Sequence, residues 1–201
     1  LFDIARKLPD GSQVALDAAE EKMTIRAGRA RFSLSTLPKD DFPMIGETDL
    51  PTSFTLPGET LAEIIDKTRF AISTEETRYY LNGVYLHTAD GDKGKVLRAV
   101  ATDGHRLALA DCEAPAGAEN LDGVIVPRKA IAEVRRLIDS ADGDVSVSVS
   151  ETKIVFRAGR AVLTSKLIDG SFPDYQRVIP KGNDKRLVID NKSFEAAVDR
   201  V

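Results

Sequence analysis

The chain contains the same five residues twice. Residues 26–30 read Arg-Ala-Gly-Arg-Ala, and the same letters return at 157–161, about 130 residues downstream. Each copy follows a helical pattern of apolar residues, and each precedes a Phe-Pro pair, at 42–43 and 172–173. Repeats of this length correspond to whole folding units rather than to short motifs. The chain is therefore expected to contain more than one copy of a single structural module.

A second pair of similar segments supports the same period. Residues 54–65 resemble residues 187–198, at an offset of about 133, and each pairs a short apolar run with a helical pattern. Segments 44–52 and 179–186 are rich in turn-forming residues, so they are the natural junctions between modules. The sequence predicts parts of three similar modules.

The periodicity of apolar residues indicates many strands and few helices. Apolar residues at i, i+3, i+4 and i+7 predict helices over 1–8, 58–69 and 128–139, with a fourth beginning near 192. Alternation predicts strands over 12–17, 22–27, 30–36, 53–57, 84–88, 96–102, 106–111, 122–126, 144–150, 152–157 and 160–166. Modules with many strands and two one-sided helices indicate the α+β class.

Composition favours a globular protein of the cytosol. Of 201 residues, 42% are hydrophobic, yet no apolar run approaches the roughly 20 residues of a membrane span. A single cysteine, Cys112, cannot form an internal disulfide, which favours a reducing compartment. The chain opens inside a helical pattern without Met and stops inside another, so we expect a piece of a longer protein. The net charge of −4 argues against a uniformly basic nucleic-acid-binding surface but is compatible with a local basic face.

One segment could carry catalytic chemistry. Residues 101–107 place Asp103 and His105 on either side of a glycine. The chain has only one other histidine, His87, and it lacks the Gly-rich, G-x-S-x-G, HExxH and CxxC motifs. Asp-Gly-His between two strands is typical of a tight turn, and a hydrolase using this pair is kept as an alternative. Segment 89–95 resembles a calcium loop only faintly, so neither a metal nor a cofactor is predicted.

Several motifs together resemble a known family. They are Arg78-Tyr-Tyr-Leu-Asn-Gly83, Ala101-Thr-Asp-Gly-His-Arg-Leu107, Val126-Pro-Arg-Lys129, Thr164-Ser-Lys-Leu167 and Phe172-Pro-Asp-Tyr175. In this order they resemble the bacterial sliding clamp, the β subunit of DNA polymerase III, across essentially the whole chain. The resemblance implies the DNA clamp fold, built from repeated modules of antiparallel sheets with two helices each. It implies that 1–48 is the C-terminal half of clamp domain 1, 52–180 is a complete domain 2, and 185–201 is the first strand and helix of domain 3.

The resemblance also implies a function. Two subunits of the family form a head-to-tail homodimeric ring around duplex DNA, without sequence preference and without a chemical step. The ring acts as a processivity factor in DNA replication, in the cytoplasm. Short peptides of the replicative polymerase, the clamp loader, repair polymerases and mismatch-repair proteins bind a hydrophobic pocket on it. We expect that this chain alone cannot close a ring.

A basic helix face is the expected DNA-facing surface. On a helical wheel of 128–139, the side opposite the apolar stripe carries Lys129 and Arg136, flanked by Arg128 and Arg135. Arg6 occupies the matching position in the first module. The resemblance adds Tyr79 and Tyr80 on a nearby loop, where the alternative is a pair of half-buried strand aromatics.

The resemblance also supplies the pocket for partner peptides. Its residues here are Leu81, Thr102, Gly104, His105, Arg106, Leu107, Pro173, Arg177 and Val178. Apolar members suit the floor of a groove for an extended peptide, and the arginines suit its rim. Without the resemblance, the same leucines and valine would be assigned to the core.

The two copies of the repeat differ where a subunit interface is expected. Arg31 and Leu34 of the first copy correspond to Val162 and Ser165 of the second. A charged and apolar edge strand invites pairing with another chain. The resemblance implies a dimer interface with Phe32 and Leu34 packing while Arg29 and Arg31 meet acidic residues. A structural repeat protein without a role on DNA is the remaining alternative.

Overall fold

A computed structural model describes residues 1–19, 21–42 and 50–201, and the chain forms two compact units, Leu1–Glu47 and Thr48–Val201. Most of the predicted junction at 44–52 lies outside the described residues. Both units contain antiparallel sheets together with helices, so the predicted α+β class is confirmed.

The described residues of the first unit form a short helix, an antiparallel sheet and a 3₁₀ turn at Lys39–Asp41. Helix α1 covers Phe2–Ala5, and the sheet has the strand order β1-β2-β3, over Ala15–Ala19, Lys22–Ala27 and Ala30–Ser35. The predicted helix over 1–8 is shorter in the structure, because only i→i+3 hydrogen bonds continue to Leu8 before Pro9 interrupts the pattern.

The repeated pentapeptide forms a tight hairpin in both units. In the first, Ala27 pairs with Ala30, and Gly28 adopts φ +57°. In the second, Ala158 pairs with Ala161, and Gly159 adopts φ +54°. A two-residue loop of this kind needs positive φ at its first position, which glycine adopts without steric cost. The repeat therefore marks equivalent hairpins.

The second unit consists of two similar halves. The first half contains β4 (Thr52–Pro57), α2 (Gly58–Asp66), β5 (Gly83–Gly91), β6 (Gly94–Thr102) and β7 (Leu107–Glu113). The second contains β8 (Val124–Pro127), α3 (Arg128–Ser140), β9 (Asp144–Val149), β10 (Lys153–Ala158) and β11 (Ala161–Lys166). The sheets have the orders β11-β10-β9-β4 and β7-β6-β5-β8, so each half contributes its first strand to the other half's sheet.

Both long helices start directly after a proline that ends a strand. Pro57 and Pro127 precede α2 and α3, with φ of −56° and −59°. Proline lacks a backbone N–H, and its fixed φ suits the entry to a helix. The helices bury Leu61, Ile64, Ile65, Ala130, Ile131 and Val134 in one core with residues of both sheets.

The last described segment differs from its prediction. Helix α4 covers Asn191–Val198, but residues 181–190 form no strand. Leu187 and Val188 are strongly exposed. A strand is stabilised by hydrogen bonds to a neighbouring strand, and no other described segment pairs with these residues.

Candidate functional site

A groove of about 760 Å³ lies at one end of the β7-β6-β5-β8 sheet. One wall is the sheet itself, through Thr102, Leu107 and Leu109, which alternate with residues that face the core. The other wall is a segment that follows β11 and runs from Pro173 to Pro180. The complete lining is Arg78, Tyr80, Leu81, Thr102, Gly104, His105, Arg106, Leu107, Leu109, Pro173, Asp174, Tyr175, Val178, Ile179 and Pro180.

The turn between β6 and β7 forms one end of the groove. Asp103 Oδ1 accepts hydrogen bonds from the backbone N–H groups of His105 and Arg106, both at 3.0 Å. These backbone donors hold the pKa of Asp103 at about 2. Gly104 adopts φ +88°, and a side chain there would also collide with the guanidinium of Arg78. Since the Asp103 carboxylate is bonded to its own turn, the geometry favours the turn interpretation over a catalytic pair.

The arginines at the rim already have carboxylate partners. Arg78 donates two hydrogen bonds to Glu75, at 2.8 and 2.6 Å, and this pairing lowers the pKa of Glu75. Arg106 donates to Asp103 Oδ2 at 3.1 Å, and its guanidinium carbon lies 5.6 Å from the centre of the Phe70 ring. The rim charges are thus locally neutralised, which leaves the groove itself mainly apolar.

Aromatic contacts hold the loop wall against the sheet. The Phe172 ring stacks on Tyr85 with centroids 4.8 Å apart and planes within 2°. Tyr175 is buried, and its hydroxyl lies 3.1 Å from His87 Nε2 and 3.3 Å from Arg98 Nη1. Sheet and loop are therefore joined by both stacking and hydrogen bonds.

Eight of the nine residues predicted for the pocket line this groove. Arg177 does not, because its side chain is 85% exposed and pairs with Asp174 at 2.9 Å. The 3₁₀ turn Tyr175–Arg177 directs Tyr175 inward and Arg177 outward. Sequence reasoning missed Arg78, Tyr80, Leu109, Asp174, Tyr175, Ile179 and Pro180. Leu109 could have been found from its two-residue spacing to Leu107, and Asp174 and Tyr175 from the motif at 172–175, but nothing in the sequence distinguished Ile179 and Pro180.

The predicted DNA-facing residues of α3 divide into two groups. Arg128, Lys129 and Arg136 are exposed, and Arg136 pairs with Glu133 at 2.7 Å on the same helix. Arg135 is instead largely shielded and bonded to Asp66 of α2, at 2.9 Å, and to Asp139. Its position on the flank beside α2 gives it a structural partner, and its contact with DNA stays a prediction.

The remaining predicted DNA contacts occupy different surroundings. Tyr79 is exposed and packs edge-on against Tyr80. Tyr80 lines the groove, and its contact with DNA stays a prediction. Arg6 in the first unit is exposed and pairs with Asp3 at 3.5 Å.

The predicted interface strand is the edge strand β3. Phe32 is partly exposed and lies opposite Ile25, while Arg31 lies directly opposite Arg26. Like charges in this arrangement repel each other unless an acidic group lies nearby. Arg29 is exposed in the hairpin loop and Leu34 is half-buried on β3. The interface itself stays a prediction.

Within 1–19, 21–42 and 50–201, no cluster of three or more His, Cys, Asp or Glu residues has the arrangement of a metal site. Among the helices of that same part of the chain, none is long and apolar enough to cross a membrane.

Solved structures that share this fold include bacterial DNA sliding clamps. The Caulobacter crescentus β sliding clamp, with PEG bound to its putative β-motif tethering region, matches with a TM-score of 0.91 and 55% identity, over 100% of this chain and 54% of that chain. The Bartonella birtlesii sliding clamp bound to griselimycin matches with a TM-score of 0.91 and 53% identity, over 100% and 54%.

Models of protein families match the two parts of the chain separately. The models of the N-terminal and central domains of the DNA polymerase III β subunit match residues 1–46 and 55–174. The chain belongs to this family, the β sliding clamps. The β sliding clamp of Caulobacter vibrioides is 55% identical over 203 residues, which cover 100% of this chain and 55% of that protein. The Escherichia coli K12 protein is 45% identical over 188 residues, covering 92% and 50%. The chain thus spans about half the length of these relatives.

Proposed function

We propose that the chain is part of a non-catalytic processivity clamp, which tethers a replicative polymerase and other partners to duplex DNA in the cytoplasm. The observation that carries this proposal is the groove between the sheet and the loop 173–180. In the whole protein, two copies would close head to tail, with β3 of each at the junction. Domains 1–48, 52–180 and 185–201 remain the proposed module boundaries.

The chemistry of the groove favours short apolar peptides as ligands. Leu81, Leu107, Leu109, Val178 and Ile179 provide apolar surface of the kind that binds alternate side chains of an extended chain. The rim arginines are paired with Glu75 and Asp103, so they offer hydrogen bonds more than uncompensated charge. Two relatives have been crystallised with griselimycin, which makes that compound a suitable probe.

The charge distribution suits a protein that surrounds DNA without binding it tightly. With a net charge of −4, the chain would make few strong phosphate contacts, and each such contact adds affinity that opposes sliding. Arg128, Lys129 and Arg136 provide a small exposed basic surface on α3. This surface supports weak, sequence-independent contact with the phosphate backbone.

An NMR titration with griselimycin tests the groove. We expect the amide signals of Leu81, Gly104, His105, Leu107 and Val178 to shift, because their residues line the cavity. Signals of the distant β5–β6 hairpin tip, at Asp92 and Lys93, should stay fixed and serve as the internal control. Shifts confined to another surface, or none at saturating concentrations, would contradict the proposed site.

Reversing one charge on α3 should weaken DNA binding. Lys129→Glu is expected to lower affinity for duplex DNA several-fold at low salt, and to reduce the slope of log affinity against log salt by about 1. Lys95→Glu has the same change in net charge but lies on β6 in an ion pair with Asp90, so it should have little effect. Equal losses in both variants would indicate a general charge effect instead of a DNA-facing helix. Filter binding at several salt concentrations provides the measurement.

A ring is tested in the full-length protein, by comparing circular and linear DNA. A closed ring should stay on circular DNA and leave linear DNA through its free ends. Equal retention on both would favour the alternative of ordinary surface binding.

A further inference from the structure

The hydroxyl of Tyr175 belongs to a hydrogen-bond chain with a defined direction. His87 Nδ1 lies 3.0 Å from the carbonyl oxygen of Thr88, which only accepts, so Nδ1 carries the proton. Nε2 is then an acceptor, and the Tyr175 hydroxyl donates to it at 3.1 Å. The hydroxyl oxygen in turn accepts from Arg98 Nη1 at 3.3 Å. Each polar atom in these three hydrogen bonds can therefore be assigned as a donor or an acceptor without conflict.

Arg98 is itself fixed by a carboxylate. It donates two hydrogen bonds to Asp111 on the neighbouring strand β7, both at 2.7 Å. Bidentate pairing of this type orients a guanidinium as well as holding it. The hydrogen-bond chain from Asp111 through Arg98 and Tyr175 to His87 therefore joins three strands of the sheet, β7, β6 and β5, to the loop.

Tyr175 is the main attachment of the groove's second wall. Within residues 169–201 it is the single buried residue, and Phe172 is half-buried. Val178, Ile179 and Pro180 line the groove but are exposed, and they follow Tyr175 by three to five residues. Their position therefore depends on where the Tyr175 side chain is held.

We propose that His87 and Arg98 are positioning residues of the groove, which fix its loop wall by holding the hydroxyl of Tyr175. Neither residue lines the groove. The inference rests on the proposed function, since it assigns these residues to the same peptide site. It also makes ligand affinity depend on the protonation of His87.

The direction of the pH effect follows from the surroundings of His87. Tyr85 stacks on its ring at 4.7 Å, Tyr175 and Arg98 face it from the loop and from β6, and Asp111 lies behind Arg98. Burial, followed by the smaller effect of the Arg98 cation, lowers the pKa of His87 below 6.5, although the bond to Thr88 opposes this. Protonation of Nε2 removes the acceptor for Tyr175, so affinity should fall as the pH drops below 6.5 towards the lowered pKa.

Three variants and one control test the proposal, with griselimycin as the probe. Tyr175→Phe removes only the hydroxyl, and His87→Leu removes the acceptor, so both should weaken binding about fivefold at pH 7.5. His87→Gln retains an acceptor oxygen but does not titrate, so it should keep the affinity and lose its pH dependence. Asp90→Asn breaks an ion pair with Lys95 on the same β5–β6 hairpin and should match the wild type.

The pH profile separates positioning from a purely structural role. The wild type should lose up to about fivefold in affinity as the pH falls from 7.5 through the lowered pKa of His87, whereas Tyr175→Phe and His87→Gln should show no such loss. The proposal would be overturned if Tyr175→Phe bound griselimycin as tightly as the wild type, or if binding to His87→Gln depended on pH as it does in the wild type.

A measurement without ligand keeps this test distinct from that of the proposed function. If the wild type does not bind griselimycin, the proposed function fails. Amide hydrogen exchange of the free protein then tests whether His87 positions the loop. The amides of Arg177 and Val178 bond to Asp174 and Tyr175 within the loop turn, at 3.3 and 3.2 Å. They should exchange faster in Tyr175→Phe and His87→Leu than in Asp90→Asn, and equal rates in all three would refute the role of His87.

Discussion

Replacing Val178 with aspartate is expected to weaken griselimycin binding by about 30-fold or more, a loss of at least about 2 kcal/mol. Val178 lies on the loop wall of the groove and is 67% exposed in the free protein. An apolar ligand in the groove would cover the new carboxylate and remove its water without providing a partner. The free protein pays no such cost, so its fold should be unaffected.

A second Val→Asp variant provides the matched control. Val162 is 61% exposed on the edge strand β11 and lies opposite Arg157, which could pair with an aspartate there. Val162→Asp should therefore bind griselimycin as the wild type does. Fluorescence polarisation with a labelled compound measures both affinities, and a similar loss in the two variants would argue against the groove as the binding site.

Replacing Leu97 with alanine should reduce the free energy of unfolding by about 2–5 kcal/mol. Leu97 on β6 is fully buried, with 0% exposure, in the core shared by the two sheets and two helices. The substitution removes apolar contacts and leaves a cavity in a tightly packed region. Urea unfolding followed by circular dichroism measures the change.

The same substitution at an exposed leucine tests whether the loss of stability comes from burial of the side chain or from the change of residue type alone. Leu187 is 77% exposed, so Leu187→Ala should change the free energy of unfolding by less than about 0.5 kcal/mol. A loss of similar size in both variants would mean that residues 181–190 pack in a way that the structure does not show.

Much of the fold could be predicted because its signals are local. The recurrence of residues 26–30 at 157–161 predicted repeated modules, and the structure has equivalent hairpins there, with Gly28 and Gly159 at the same turn position. Helices α2 and α3 were predicted from apolar spacing close to their observed bounds, Gly58–Asp66 and Arg128–Ser140. The strand expected near 187 did not form, because a strand depends on a neighbour that local sequence does not reveal.

The lining of the groove was predicted only in part, and two of the predicted side chains have surroundings that the sequence does not reveal. Arg135 has the same side-chain chemistry as Arg136, and only the approach of Asp66 from another helix distinguishes the two. Arg177 follows Tyr175 by two residues, and the turn sends them in opposite directions. Side-chain direction in a loop depends on its tertiary contacts, so sequence patterns of helices and strands could not supply it.

The exchange of first strands between the two halves has a consequence for cooperativity. Among the residues that the structure describes, β4 of the first half pairs only with β9, and β8 of the second half pairs only with β5. If either half unfolded, the sheet of the other half would lose an edge strand. The second unit should therefore unfold in a single transition. A chain cleaved between β7 and β8 would accordingly remain one particle, because its two pieces are held together by their interlocked strands.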